Sequence, residues 1–106
     1  MIEENVLCAA NNYEEKYYFN PRFDNLPEEI KKELNIISVL FTTRIGGIIT
    51  MTFDEESGEV IIETNHNEED ILYDEIGSAL EIKRIKRENS ELFEGLALYY
   101  NTMCTK

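Results

Sequence analysis

The sequence predicts one α+β domain with the element order β-β-α-β-β-α: a small, mostly antiparallel sheet with helices packed on one face and a long C-terminal helix. Two pairs of short apolar stretches, each pair flanking a polar connection, predict two hairpins. Two longer stretches repeat their apolar residues at steps of 3 and 4, which is typical of amphipathic helices. The 106 residues are enough for a single domain, 1–106, and too few for two.

Residues 6–10 and 16–19 predict the first hairpin, because two apolar runs flank a polar, asparagine-containing connection. In the second run, a strand would direct Tyr17 and Tyr18 to opposite faces of the sheet. Pro21 ends this strand, since proline has no amide hydrogen to donate to a ladder.

Residues 27–45 predict the first helix. Pro27 suits the first helical position, and two glutamates follow it where a helix N-terminus favours negative charge. Gly46 can supply the left-handed residue that ends the helix. Residues 36–45 are rich in β-branched side chains, so a strand there stays open as an alternative. The apolar positions recur at steps of 4, 3 and 4: Ile30, Leu34, Ile37 and Phe41.

Residues 47–53 and 59–64 predict the second hairpin. Alternate side chains from Ile49 to Phe53 should share one face of the sheet. Gly58 ends an acidic turn and can supply the positive φ that such a turn needs. The turn lacks the alternating ligand pattern of a calcium-binding loop, which favours a solvated turn.

Residues 67–103 predict one long helix, with Asn67 as an N-cap followed by three acidic residues. Between 71 and 79 the apolar residues leave room for a polar face, as on a helix lying against a sheet. A continuous helix of this length would measure about 55 Å, more than a domain of this size spans. We favour continuity because the apolar seam passes Asn89 in phase; the alternative is a break at Asn89-Ser90, which could cap a second helix.

The end of this helix carries more apolar surface than one short sheet can cover. From Leu92 to Met103 apolar residues occupy nearly the whole circumference, which is typical of a helix buried on more than one side. We therefore predict a C2 homodimer, with a polar seam residue setting the register. The alternative is that the N-terminal hairpin covers the surplus. The predicted interface residues follow the seam: Ile82, Ile85, Asn89, Leu92, Leu96, Tyr99 and Met103.

The net charge of −12 bears on the partners. It argues against nucleic acid, since phosphate contacts would work against the field of the chain, and it permits a basic protein partner. Four of the ten basic residues nevertheless fall within five positions, from Lys83 to Arg87. They predict either a solvated helix face or a docking patch for an acidic surface, such as the acidic half of a second copy.

The sequence contains no motif that carries chemistry. There is no glycine-rich phosphate loop and no spaced set of cysteines and histidines, so we expect no cofactor and no metal ion. His66 is the single histidine and lies in a polar connection. The apolar runs are too short for a membrane span and the start lacks a secretory pattern, so we expect a cytoplasmic protein. In that compartment Cys8 and Cys104 should be free thiols.

A set of short segments spread along nearly the whole chain resembles a family of small acidic proteins of unknown function found in anaerobic Gram-positive bacteria. The resemblance implies a cytoplasmic, single-domain bacterial protein and brings no catalytic or binding residues. The segments are VLCAAN (6–11), KYYFN (16–20), LFT (40–42), GGI (46–48), FD (53–54), LYDEIGS (72–78) and ELF (91–93).

Two hypotheses of function follow. The first is a non-enzymatic protein-interaction module, a small acidic adaptor or chaperone-like protein, because the surface is acidic, the last helix has surplus apolar area and no chemistry is visible. The second is a small-molecule-binding or enzymatic domain with an aromatic pocket and a converging arginine. The residues of that pocket would be Tyr13, Tyr17, Tyr18 and Arg22 or Arg44.

Overall fold

A computed structural model describes residues 5–103 of the chain. Four strands form one antiparallel sheet in the order β2-β1-β3-β4, and three α-helices pack against it, which confirms the predicted α+β class. A short 3₁₀ turn, Pro21–Phe23, follows the first hairpin. The elements are β1 (Val6–Asn11), β2 (Lys16–Phe19), α1 (Glu28–Arg44), β3 (Ile48–Phe53), β4 (Val60–Asn65), α2 (Glu75–Glu88) and α3 (Ser90–Met103).

The helices all lie on one face of the sheet. In β3 the side chains from Ile49 to Phe53 alternate between buried and half-buried, as the sequence predicts. The buried face meets α1 where the Cys8 thiol lies 3.8 Å from the Ser38 hydroxyl. It meets α3 where the rings of Phe53 and Tyr100 stack with centroids 4.6 Å apart. The opposite face of the sheet has no helix on it among the described residues.

The first helix is confirmed over almost the predicted range, and the strand alternative for residues 36–45 is wrong. Leu34 and Phe41 are fully buried on the side that faces the sheet, so tertiary packing outweighs the β-branched composition. The helix ends at Arg44 with Ile45 as its C-cap, and Gly46 follows with the expected positive φ of 95°.

The second hairpin is also confirmed. Gly58 has a φ of 79° and donates its amide to the Asp54 carbonyl at 2.8 Å, which closes the turn. Asn101 of α3 donates to the Ser57 carbonyl at 2.9 Å, so the last helix holds the turn.

The last third of the chain departs from the prediction in two ways. Asn67 is not an N-cap; residues 66–74 form an irregular connector, and α2 begins at Glu75 with Asp74 as its N-cap. The predicted continuous helix is also wrong, because Asn89 interrupts it, as the alternative held. The Asn89 side chain donates to the Ile85 carbonyl at 2.9 Å and so caps α2. The break keeps α3 against the sheet within a molecule 42 Å long.

The seam that the sequence assigns to a dimer interface packs inside one chain. Ile85 and Leu96 are buried in the core, and the partly buried residues against that core include Ile82, Leu92 and Tyr99. The chain thus covers most of its own apolar surplus. Asn89 is half-buried at the helix break, and Met103 is exposed. Self-association stays a prediction.

None of the helices within residues 5–103 has the length and apolar character needed to cross a bilayer.

Candidate interaction surface

The five residues predicted to line an aromatic pocket lie apart. Tyr17 faces α1 and lies beside Val39 and Thr42 along a groove, while Tyr18 is directed to the opposite face of the sheet. Tyr13 lies in the turn between β1 and β2.

The two arginines lie at opposite ends of the sheet. Arg22 donates to the Asn5 side chain at 3.0 Å, beside the start of β1. Arg44, just before β3, lies 3.5 Å from the Glu81 carboxylate. The structure therefore does not bring an arginine and these tyrosines to a common cavity.

Four exposed aliphatic side chains lie close together in the sequence at the start of α2. Ile71 and Leu72 in the connector are 88% and 89% exposed, and Ile76 and Leu80 on α2 are 76% and 61% exposed. We refer to these four residues as the aliphatic patch. Single exposed apolar residues are ordinary, but four large aliphatic side chains within ten positions are typical of a binding surface.

The connector that carries half of the patch is fixed to the rest of the fold. The Tyr13 hydroxyl donates to the Asp70 carboxylate at 2.6 Å and accepts from the Asn67 amide at 3.1 Å. One side chain of the first hairpin thus bonds two points of a connector more than fifty residues later.

Tyr73 fixes the other end of the connector. Its ring stacks on His66 with centroids 4.5 Å apart, and its hydroxyl donates to Ser78 at 2.9 Å. Ser78 in turn donates to Thr64 of β4 at 3.4 Å. The ring lies over Gly47, where a Cβ atom would come within 2.6 Å of it, so glycine is needed for this approach.

The connector therefore has an inverted pattern. Its polar and aromatic side chains, Asp70 and Tyr73, are directed to the fold and hydrogen-bonded, whereas Ile71 and Leu72 are directed to solvent. Because both ends are held, the exposed aliphatic side chains are presented in a defined arrangement.

Asp74 is the N-cap residue that fixes where α2 begins. Its carboxylate accepts from the Gly77 amide at 2.8 Å, which satisfies one of the free amides of the first turn. This fixes the direction in which Ile76 and Leu80, one helical turn apart, leave the helix.

His66 holds the start of the connector to the start of α2, and we call this contact the His66 clamp. One ring nitrogen lies 3.0 Å from the Asn67 carbonyl and the other lies 3.2 Å from the Glu75 carboxylate. Both neighbours are acceptors, so the doubly protonated ring satisfies both. The Asn67 carbonyl, with a smaller contribution from Glu75, accordingly raises the pKa of His66 above its ordinary value.

An open groove of about 490 Å³ lies between β4 and α2, beside His66. Its hydroxyl groups bond to one another, from Tyr73 to Ser78 to Thr64, and the His66 ring nitrogens bond to a carbonyl and a carboxylate. These bonds join β4, the connector and the start of α2 to one another.

Within residues 5–103 no three acidic, histidine or cysteine side chains converge in a way that would hold a metal ion. The Cys8 thiol is fully buried, and burial raises its pKa to about 11. Cys104 lies outside the described residues.

Acidic residues lie close to the aliphatic patch in the sequence. Five acidic residues lie between positions 68 and 75, on either side of Ile71 and Leu72: Glu68, Glu69, Asp70, Asp74 and Glu75. All but Asp70 are exposed.

The sequence suggested this surface only in part. It indicated apolar residues between 71 and 79 but placed them against the sheet, because it extended the helix back to Asn67. The adjacent pair Ile71-Leu72, followed two residues later by the N-cap residue Asp74, was the available indication of a connector.

A protein-family model matches residues 4–106 of the chain, and its description is Family of unknown function (DUF6145). No curated protein matches the chain. No solved structure matches it either.

Proposed function

The chain belongs to the Family of unknown function (DUF6145), and we propose that it is a non-enzymatic protein-interaction module that docks a partner protein on the aliphatic patch. The observation that carries the proposal is the exposure of Ile71, Leu72, Ile76 and Leu80, which lies between 61% and 89%. Fully burying one such side chain contributes about 1.5–3 kcal/mol, so burying most of the patch is a substantial driving force.

The rigid presentation of the patch favours an adaptor with a defined partner over a chaperone-like protein. A surface that adapts to many clients uses flexible side chains or loops, whereas this connector is held by Tyr13 at one end and by Tyr73 at the other. The proposal keeps the bacterial, cytoplasmic setting that the sequence resemblance implies.

The acidic frame defines the partner by its chemistry. We propose a protein with an apolar centre and lysine or arginine side chains around it, because these would meet the carboxylates that border the patch. Attraction between opposite charges also raises the rate of association.

A crosslinking experiment tests the proposal. A photo-crosslinking amino acid is placed at Leu72, in the patch, or at Leu98, which is 68% exposed on α3. We expect the chain labelled at Leu72 to crosslink in cells to one protein whose purified form binds the unlabelled chain. That binding should be lost in the variant Leu72→Gln/Ile76→Gln and kept in Leu98→Gln.

Both glutamine variants should fold, since substitutions at exposed positions usually change the unfolding free energy by no more than about 0.5 kcal/mol. Binding that is equally strong in Leu72→Gln/Ile76→Gln, or crosslinking that is equal at both positions, would overturn the proposal.

A further inference from the structure

The exposed face of α2 changes its chemistry along the helix. Opposite the buried residues Ser78 and Ile85 runs a stripe at steps of 4, 3 and 4, and all of its members are exposed. The first half of the stripe is aliphatic and the second half is basic. We call it the α2 stripe: Ile76, Leu80, Lys83 and Arg87.

The basic half of the stripe is not neutralised inside the chain. Within residues 5–103, Lys83 and Arg87 form no ion pair, whereas the neighbouring Arg84 bonds to Glu81 and Glu88 on its own helix. The acidic residues between positions 68 and 75 lie at the other end of α2. Along the chain, acidic residues, the aliphatic half of the stripe and its basic half thus follow one another.

Such a surface is complementary to itself when one copy is reversed. In an antiparallel pair of helices about a twofold axis, the acidic end of each copy meets the basic end of the other, and the aliphatic middles meet at the axis. A parallel pair would instead place basic residues against basic residues, which is unfavourable.

We infer that the partner docked by the aliphatic patch is a second copy of this chain, with the two α2 helices antiparallel and the twofold axis near Leu80. In this arrangement Leu80 packs on Leu80 of the second copy, and Ile76 packs on the aliphatic stem of Lys83. Arg87 lies against Asp74 of the second copy, at the end of that copy's connector. The inference rests on the proposed function and identifies its partner.

The net charge of −12 on each copy opposes association but does not prevent it. At physiological ionic strength, charges farther apart than about 8 Å are largely screened, so the contacts at the interface dominate. One helix and part of a connector form an interface at the small end of the known range, and we expect dissociation between about 1 μM and 1 mM.

Analytical ultracentrifugation of the full chain tests the inference. Over this range at physiological salt, the average mass of the wild type should rise from 12.4 kDa towards twice that value. Leu80→Glu should remain monomeric, because it places two like charges at the axis, and Leu98→Glu should behave as the wild type.

Charge reversal tests the antiparallel direction. The variants Lys83→Glu/Arg87→Glu and Glu69→Lys/Glu75→Lys should each self-associate more than about 100-fold more weakly than the wild type. An equal mixture of the two should form a heterodimer, since each acidic surface then faces a basic one. Thermal unfolding of each variant verifies that it is folded.

A disulfide test reports on the axis directly. In a Cys104→Ser background, Leu80→Cys should oxidise to a disulfide-linked dimer, whereas Leu98→Cys should not. The inference would be overturned if Leu80→Glu dimerises as strongly as the wild type. It would also be overturned if the mixture of the two charge-reversed variants stays monomeric. A wild type that keeps a mass of 12.4 kDa at every concentration would overturn it too. The proposed docking of another protein, which the crosslinker at Leu72 tests, would not be affected by that result.

Discussion

The Tyr17 hydroxyl is a buried polar group with poor hydrogen bonding. It is buried beside the Cys8 thiol, and no group within residues 5–103 forms a hydrogen bond of good geometry with it. Burial raises its pKa above the ordinary value. Such a group retains the cost of leaving water without a compensating bond. Tyr100, by contrast, donates its hydroxyl to Asn5 at 3.0 Å.

We expect Tyr17→Phe to leave the unfolding free energy unchanged or to raise it by up to about 1 kcal/mol, because it removes a hydroxyl that gains nothing from the fold. Tyr100→Phe is the matched control and should lower the unfolding free energy by about 1 kcal/mol. Urea denaturation measures both. An equal loss in the two variants would show that the Tyr17 hydroxyl is bonded in solution.

His66 gives a prediction in pH. Its pKa is raised in the fold, so the folded state favours the protonated ring. The resulting stabilisation is fully present below the unfolded value near 6.5 and is lost as the pH rises through the folded pKa.

An NMR titration of the His66 ring protons should accordingly give a pKa above 6.5. Glu75→Gln should lower this pKa only part of the way back, since the hydrogen bond to the Asn67 carbonyl, the first cause of the shift, remains. Glu63→Gln, on β4 and facing away from the helices, should leave it unchanged. A folded pKa at or below 6.5 would contradict the clamp described for His66.

At the scale of elements, two successive glycines before β3 differ in their surroundings, and the second of them adjoins the connector. Gly46 and Gly47 both have positive φ, 95° and 73°. A Cβ at Gly46 would meet nothing within 4 Å, whereas a Cβ at Gly47 would lie 2.6 Å from the Asn65 carbonyl oxygen and from the Tyr73 ring.

We therefore expect Gly46→Ala to lower the unfolding free energy by about 1 kcal/mol, the cost of a left-handed alanine, and Gly47→Ala to lower it by about 3 kcal/mol. Gly47→Ala should also shift the NMR resonances of His66, because the new Cβ displaces the Tyr73 ring from its stacking position on the His66 ring. Equal effects of the two substitutions would mean that the connector does not depend on this close approach.

The sequence correctly predicted the elements that are determined by residues close together in the chain. Gly58 and the flanking apolar alternation predict the second hairpin, and Pro27 with its helical apolar spacing predicts α1. It placed the start of α2 wrongly, because the cause is distant: Tyr13 holds Asn67 and Asp70, and a local reading of Asn67 as an N-cap has no access to that contact.

The candidate surface was missed for a related reason. Helical spacing indicates which residues share a face but not whether that face meets the sheet, so the apolar residues between 71 and 79, with Ile76 among them, were placed against the sheet. The seam residues Ile85 and Leu96 were placed outward because the core is larger than four short strands suggest: Phe23 and Leu26, from the connection before α1, also contribute to it.

At the scale of the whole molecule, the chain must keep 22 acidic residues close together against only 10 basic ones. Folding raises the density of this negative charge, and the repulsion reduces stability. Added salt screens charges that lie more than a few ångströms apart.

We expect the Tm to rise by several degrees between about 0.01 M and about 0.3 M NaCl, measured at concentrations too low for self-association. Choline chloride at equal ionic strength should give the same increase, because screening does not depend on the identity of the cation. A fall in Tm with salt would show that attractive ion pairs outweigh the repulsion.

The bond from Tyr13 to the connector links the display of the aliphatic side chains to completion of the tertiary structure. A chain whose first hairpin has not packed lacks the anchor for Asn67 and Asp70, and its Ile71 and Leu72 have no fixed positions. Under the proposed docking, recognition by a partner would therefore be reserved for correctly assembled molecules. A Tyr13→Phe chain should keep its secondary structure yet be recognised poorly, as an unfinished copy would be.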